Sequence, residues 1–165
     1  MNKTQKGVGL VEVLIALLLL AIGVLGFTAL QIRALAASQE AGNNIQAINI
    51  ARDLSERIRV NRDGLLDYKE VDKADSVKDC SKEFCDAQQL AVYDFRAVSN
   101  KANDFGMSLA VLDCQGNVAL ERKCIYVAWG GTTATNGNTN PNCTNGAAYL
   151  PDAKCIIVET YNYDK

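Results

Sequence analysis

Histidine is absent from the 165 residues, which removes the most common general base and the most common transition-metal ligand together. Hydrolytic and zinc chemistry therefore lack their usual groups. Proline occurs only twice, and never before Pro141, so no proline breaks a long helix in the first 140 positions. Cationic excess is missing too: 17 basic and 19 acidic residues give a formal charge of -2. Such a balance offers no broad positive surface for phosphate backbones, and direct nucleic-acid binding is not expected. Charge of either sign is missing between Glu12 and Arg33, and cysteine is missing before Cys80.

What is present follows from those gaps. The uncharged stretch Val13 to Ile32 holds about the 20 residues that a helix rising 1.5 Å per residue needs to cross a hydrocarbon core. Lys3 and Lys6 precede it and favour an N-terminus on the cytoplasmic side, which sends the rest of the chain across the membrane. All six cysteines, Cys80, Cys85, Cys114, Cys124, Cys143 and Cys155, belong to that translocated part. An even number in a small, loop-rich region, without a close CxxC pair, points to disulfides rather than to a metal site. Six cysteines allow 15 pairings. Cys80 with Cys85 is the most local candidate, Cys143 with Cys155 is a second, and the connectivity stays open.

Glu12 is the most informative residue. A carboxylate among membrane-spanning residues costs on the order of 2.5 to 3.5 kcal/mol, so it calls for a partner. An ordinary secretory signal would be cut after its apolar stretch, and Ala34 to Ala37 mimic such a site. The length of the stretch and the presence of Glu12 both argue against that reading. The other simple alternative is an uncleaved single-pass anchor.

Past Arg33, apolar residues at Ile45, Ile48, Ala51, Leu54 and Ile58 recur every three or four positions. They predict one continuous helix from about Val8 to Val60, apolar all round at first and amphipathic later, with Gly23, Gly26 and Gly42 as points where it can curve. Arg52, Arg57, Arg59 and Arg62 alternate with Asp53, Glu56 and Asp63 and read as a solvated, paired face. Asn61 to Asp79 reads as a connecting loop. Phe84, Ala87, Ala91, Phe95 and Val98 predict a second helix entered at Ser81 as N-cap, with Glu83 in its first turn. Strands are expected at Met107 to Leu112, Asn117 to Glu121, Cys124 to Trp129 and Cys155 to Tyr161, with a turn at Gln115 and Gly116. Gly130 to Ala153, rich in Gly, Thr and Asn, reads as an exposed loop. The expected fold class is α+β, a long N-terminal helix packed on a small antiparallel sheet of about four strands.

The start of the chain resembles a known leader. Lys6 and Gly7, then Val8, Gly9, Leu10, Val11 and Glu12, look like the class III leader of type IV prepilins. The resemblance implies cleavage by a prepilin peptidase between Gly7 and Val8, N-methylation of Val8, and docking of Glu12 onto the amine of a neighbouring subunit. Phenylalanine is usual at the first mature position, where this chain has valine. By that division residues 1–7 are leader, 8–33 the membrane and filament-core half of the helix, and 34–165 a periplasmic globular domain. Loss of Lys3 and Lys6 takes the formal charge from -2 to -4.

Ile48 to Arg62 is similar to the helix end of PilV-type minor pilins, and Cys85 followed by Gln89 to Asp94 looks like their next signature. That resemblance implies a low-abundance subunit that meets other minor pilins, the major pilin and the assembly platform in the inner membrane. It would prime pilus assembly and travel at the extracellular tip, supporting twitching motility, adhesion and DNA uptake without a cofactor. A minor pseudopilin of a type II secretion system shares the same features. A membrane-anchored enzyme or binding module would have to use Asp104, Asp113 or Ser108, whose spacing forms no catalytic motif.

Overall fold

The computed structural model describes residues 9–69, 77–116 and 122–161. Helix α1 (Leu10–Val60) is unbroken over 51 residues, as expected where no proline intervenes. The chain forms two compact units, Met1–Gly42 and Asn43–Lys165.

In the first unit α1 is apolar on every side, and its large hydrophobic residues from Leu10 to Leu35 are all exposed. This part of the helix is long and apolar enough to cross a membrane.

In the second unit α1 becomes one-sided. Ala47, Ile50, Ala51, Leu54 and Ile58 are buried at spacings of three and four, and the two alanines leave room for close approach. Burying each of the larger residues is worth about 1.5 to 3 kcal/mol. Arg57 and Arg59 stand in the last turn, where cations suit the helix dipole. A short 3₁₀ helix (Arg62–Asp67) follows, within the stretch read from sequence as loop. Its Leu65 and the adjacent Tyr68 join the core. Gly64 lets it lie flat on the next element, since a Cβ there would sit 2.4 Å from the Ala87 carbonyl oxygen.

Helix α2 (Ala87–Asp104) begins later than the sequence suggests. Its N-cap is Asp86, not Ser81: the Asp86 carboxylate accepts from the Gln89 amide at 2.8 Å, and the Gln89 side chain accepts from the Asp86 N–H at 3.3 Å. This reciprocal box satisfies two otherwise orphaned donors, which makes it a stronger start than Ser81. Ser81 instead belongs to a turn held by Asp79. Phe84 consequently lies outside the helix and is 90% exposed, while Ala91, Phe95 and Val98 are buried as the stripe predicts.

The main sheet has the order β1-β2-β6, formed by β1 (Met107–Asp113), β2 (Arg122–Trp129) and β6 (Cys155–Tyr161), all antiparallel. Among the described residues this sheet has three strands where about four were expected, and the expected strand Asn117 to Glu121 lies outside them. Alternation along the strands sorts side chains to two faces. Leu109, Ile125, Val127 and Trp129, with Ile156 and Val158 packed alongside, meet the helices. Cys124, Tyr126, Ala128 and Cys155, flanked by Leu112 and Ile157, form a second cluster on the other face.

That second face is covered. Strands β3 (Thr133–Asn136), β4 (Asn142–Asn145) and β5 (Ala148–Tyr149) make a small sheet in order β3-β4-β5, with β3 and β4 parallel. The segment expected to be an exposed loop thus contributes buried Ala134, Cys143 and Thr144. These small residues pack onto a layer in which cystine and alanine lie beside Tyr126 and Ile157.

Candidate functional site: the apolar helix and its supporting domain

The N-terminal end of α1 holds the residues with the strongest functional signal. Glu12 lies in the first turn, its N–H donating to the Gly9 carbonyl at 2.9 Å. Its neighbours Leu10, Val11, Val13 and Leu14 are exposed, so the carboxylate lies in an apolar surface. Placed in lipid or against other helices, such a group needs a cation or donor from outside. Gly7 and Val8, the expected cleavage and methylation positions, lie outside the described residues.

The six cysteines are joined as Cys80–Cys85, Cys114–Cys124 and Cys143–Cys155, with Cα separations of 5.6, 5.0 and 6.0 Å. These are ordinary distances for the bond. The three bonds tie the turn before α2, the ends of β1 and β2, and the small sheet to β6. Cys114 and Cys124 lie near Glu159, and with both sulfurs committed to a disulfide this cluster offers a metal no thiolate.

A polar network escaped sequence reading. Arg57 Nε donates to Asp53 at 2.9 Å, and its Nη1 donates to the buried Asp94 of α2 at 2.6 Å. Tyr68 Oη donates to the Arg57 carbonyl at 3.2 Å and lies 3.4 Å from Asp94, while Asn61 Nδ2 donates to the Ala87 carbonyl at 2.7 Å. Lys101 reaches the other Asp53 oxygen at 3.1 Å. Burial pushes Tyr68 up to about 12, against the lowering effect of Asn61. Arg57 is therefore a bridge between helices and not merely part of a solvated face, whereas Arg59 pairs with Glu56 on the surface as expected. The available signal was an arginine in register with core residues, followed by Tyr68 in an otherwise polar stretch.

The alternative catalytic residues are not brought together. Asp104 ends α2 and is exposed, and Asp113 ends β1 in an ion pair with Lys123 at 2.5 Å. Ser108 lies five strand positions from Asp113, about 17 Å at 3.4 Å per residue. Its buried hydroxyl has no hydrogen-bond partner among the described residues.

Comparison with known proteins agrees with the fold. Residues 2–28 match the prokaryotic N-terminal methylation motif, and residues 29–96 match the Tt1218-like family, type IV pilin Tt1218. No curated protein matches the chain, and neither does any solved structure. The two family matches abut, and between them they take in the charged start, all of α1 and half of α2. With a methylation motif, a long apolar helix and a small antiparallel sheet behind it, the chain is a type IV pilin-like protein, structural rather than enzymatic.

Proposed function

We propose that this pilin-like chain is a PilV-type minor pilin of a type IV pilus. The observation that carries the reading is Glu12 in the first turn of an apolar helix, five residues beyond Gly7 in a matched methylation motif. A prepilin peptidase removes residues 1–7, Val8 is N-methylated, and the domain that follows residue 33 faces the periplasm. The chain waits in the inner membrane until the assembly platform extracts it. Glu12 then takes the positive amine of a neighbouring pilin, which removes the cost of an unpaired carboxylate among apolar side chains. Apolar surface passes from lipid to protein, and no covalent bond is made or broken by this subunit.

In this role the chain joins other minor pilins and the major pilin, primes assembly and stays at or near the tip. Motility, attachment and DNA uptake depend on it through the pilus. Mass spectrometry of the N-terminus of the natural protein tests the processing: an N-methylated Val8 is expected, and a chain that still begins at Met1 would overturn it. Deletion tests the system: loss of pili is expected, and loss of protein secretion with intact pili would assign the chain to a secretion pseudopilus.

A further inference from the structure

We propose that Asn145 is a self-modification site, at which the side chain deamidates through the Gly146 nitrogen and places a negative charge on the small sheet. The sequence Thr-Asn-Gly occurs twice in the chain, as Thr135-Asn136-Gly137 and as Thr144-Asn145-Gly146. Both copies are reactive by sequence, because glycine leaves its backbone nitrogen unshielded by a side chain. The fold treats them oppositely.

At the first copy both reacting groups are held. The Gly137 N–H donates to the Thr144 carbonyl at 2.8 Å, and the Asn136 side-chain oxygen accepts from the Thr144 hydroxyl at 2.9 Å. Thr144 is itself buried, and Asn136 lies opposite it where β3 and β4 pair. Reaction there would break two hydrogen bonds to a buried residue.

At the second copy neither group is held. Asn145 is exposed at the end of β4, and among the described residues neither its side chain nor the Gly146 N–H makes a hydrogen bond. Gly146, at φ 60°, starts the two-residue loop that leads into β5, a hairpin turn with glycine first. Strand β5 is only Ala148 and Tyr149, both exposed. Little burial therefore opposes the local opening that lets Asn145 rotate out of extended backbone and bring its Cγ to the Gly146 nitrogen.

The chemistry needs only water. The Gly146 nitrogen attacks Asn145 Cγ, the new N–Cγ bond closes a succinimide ring, and the Cγ–Nδ2 bond breaks as ammonia leaves with the amide proton. Water then opens the ring. Cleavage at Cγ gives aspartate, and cleavage at the peptide carbonyl gives isoaspartate, whose backbone is longer by one methylene. No oxidant or reductant takes part. Either product is a carboxylate within a run that has no Asp, Glu, Lys or Arg from Gly130 to Pro151. Isoaspartate also disturbs the pairing of β5, since loop length fixes hairpin register.

The test incubates the full-length, oxidised chain in detergent micelles, in mildly alkaline buffer made with heavy-oxygen water, and maps its peptides by mass spectrometry. The label enters with the hydrolytic water, which separates conversion during incubation from conversion during digestion in ordinary water. Asn145 is expected to convert at least tenfold faster than Asn136 in the folded chain. After reduction and unfolding in denaturant the two rates should converge, because the local sequence is shared. Asn145→Gln, which retains an amide but must close a larger ring, should abolish the acidic product at that position and leave Asn136 unchanged. Equal rates in the folded chain, faster conversion at Asn136 or no conversion at Asn145 would overturn the proposal, as would a rate difference that survives unfolding.

Discussion

Arg57 on α1 and Asp94 on α2 are 37 positions apart in sequence and joined by a 2.6 Å hydrogen bond between charged groups. The carboxylate is the buried member of the pair, and the guanidinium is partly open to water. Asp94→Ala leaves Arg57 and Tyr68 without that acceptor. The expected loss is about 1 to 3 kcal/mol, held to that range because Arg57 can turn toward solvent. Thermal unfolding of the oxidised protein should show a drop of several degrees. An unchanged midpoint would mean that the pair contributes nothing to joining the helices.

Acid sensitivity should trace to the same cluster. Burial by itself would raise the Asp53 carboxyl, but hydrogen bonds from Arg57 and Lys101 outweigh it and hold the group below its ordinary 3.8. A carboxylate with a depressed folded value contributes stability that is complete above the unfolded value near 3.9 and is lost as pH falls through the folded one. Asp53→Asn should therefore be less stable than the parent at pH 7, and the gap should shrink below pH 4. Denaturant midpoints at pH 7 and pH 3 measure this. A gap of equal size at both would assign the loss to packing.

Gly64 is a steric requirement. Gly64→Ala drives a methyl group to 2.4 Å from the Ala87 carbonyl oxygen and 2.6 Å from the Asn61 amide nitrogen. Backbone cannot yield as a flexible side chain can, so a cost of about 1 to 3 kcal/mol is expected. Chemical denaturation should show it, and a variant as stable as the parent would place the 3₁₀ helix away from α2.

Glu12→Ala tests the docking role. The apolar stretch is untouched, so the chain should still fractionate with membranes, while its amount in sheared pili should fall at least tenfold. Normal incorporation would leave the carboxylate without an assembly function.

The sequence was most legible where one periodicity ran long. The proline-free start, the three-four spacing through Ile58 and the Ile- and Val-rich segments led to α1, β1, β2 and β6 near their observed limits. Local competition was harder to read. Ser81 and Asp86 are both plausible caps, and only the partner three residues on distinguishes them, because Gln89 completes a box that Phe84 cannot. The small sheet was hidden by composition, since Thr, Asn and Gly report an exposed loop unless a cystine layer is known to lie beneath. The Asp94 network stayed invisible because its members span four separate stretches. Glu12 stood out by contrast, one charge at the edge of an uncharged run.

The two clusters flanking the main sheet differ in chemistry: the helix-side cluster contains no cysteine, whereas the opposite one includes Cys124, Cys143 and Cys155. Where thiols stay reduced, the first can condense and the second lacks its covalent ties. Reduction is therefore expected to loosen the outer layer while leaving the helix-side cluster without a covalent tie to lose.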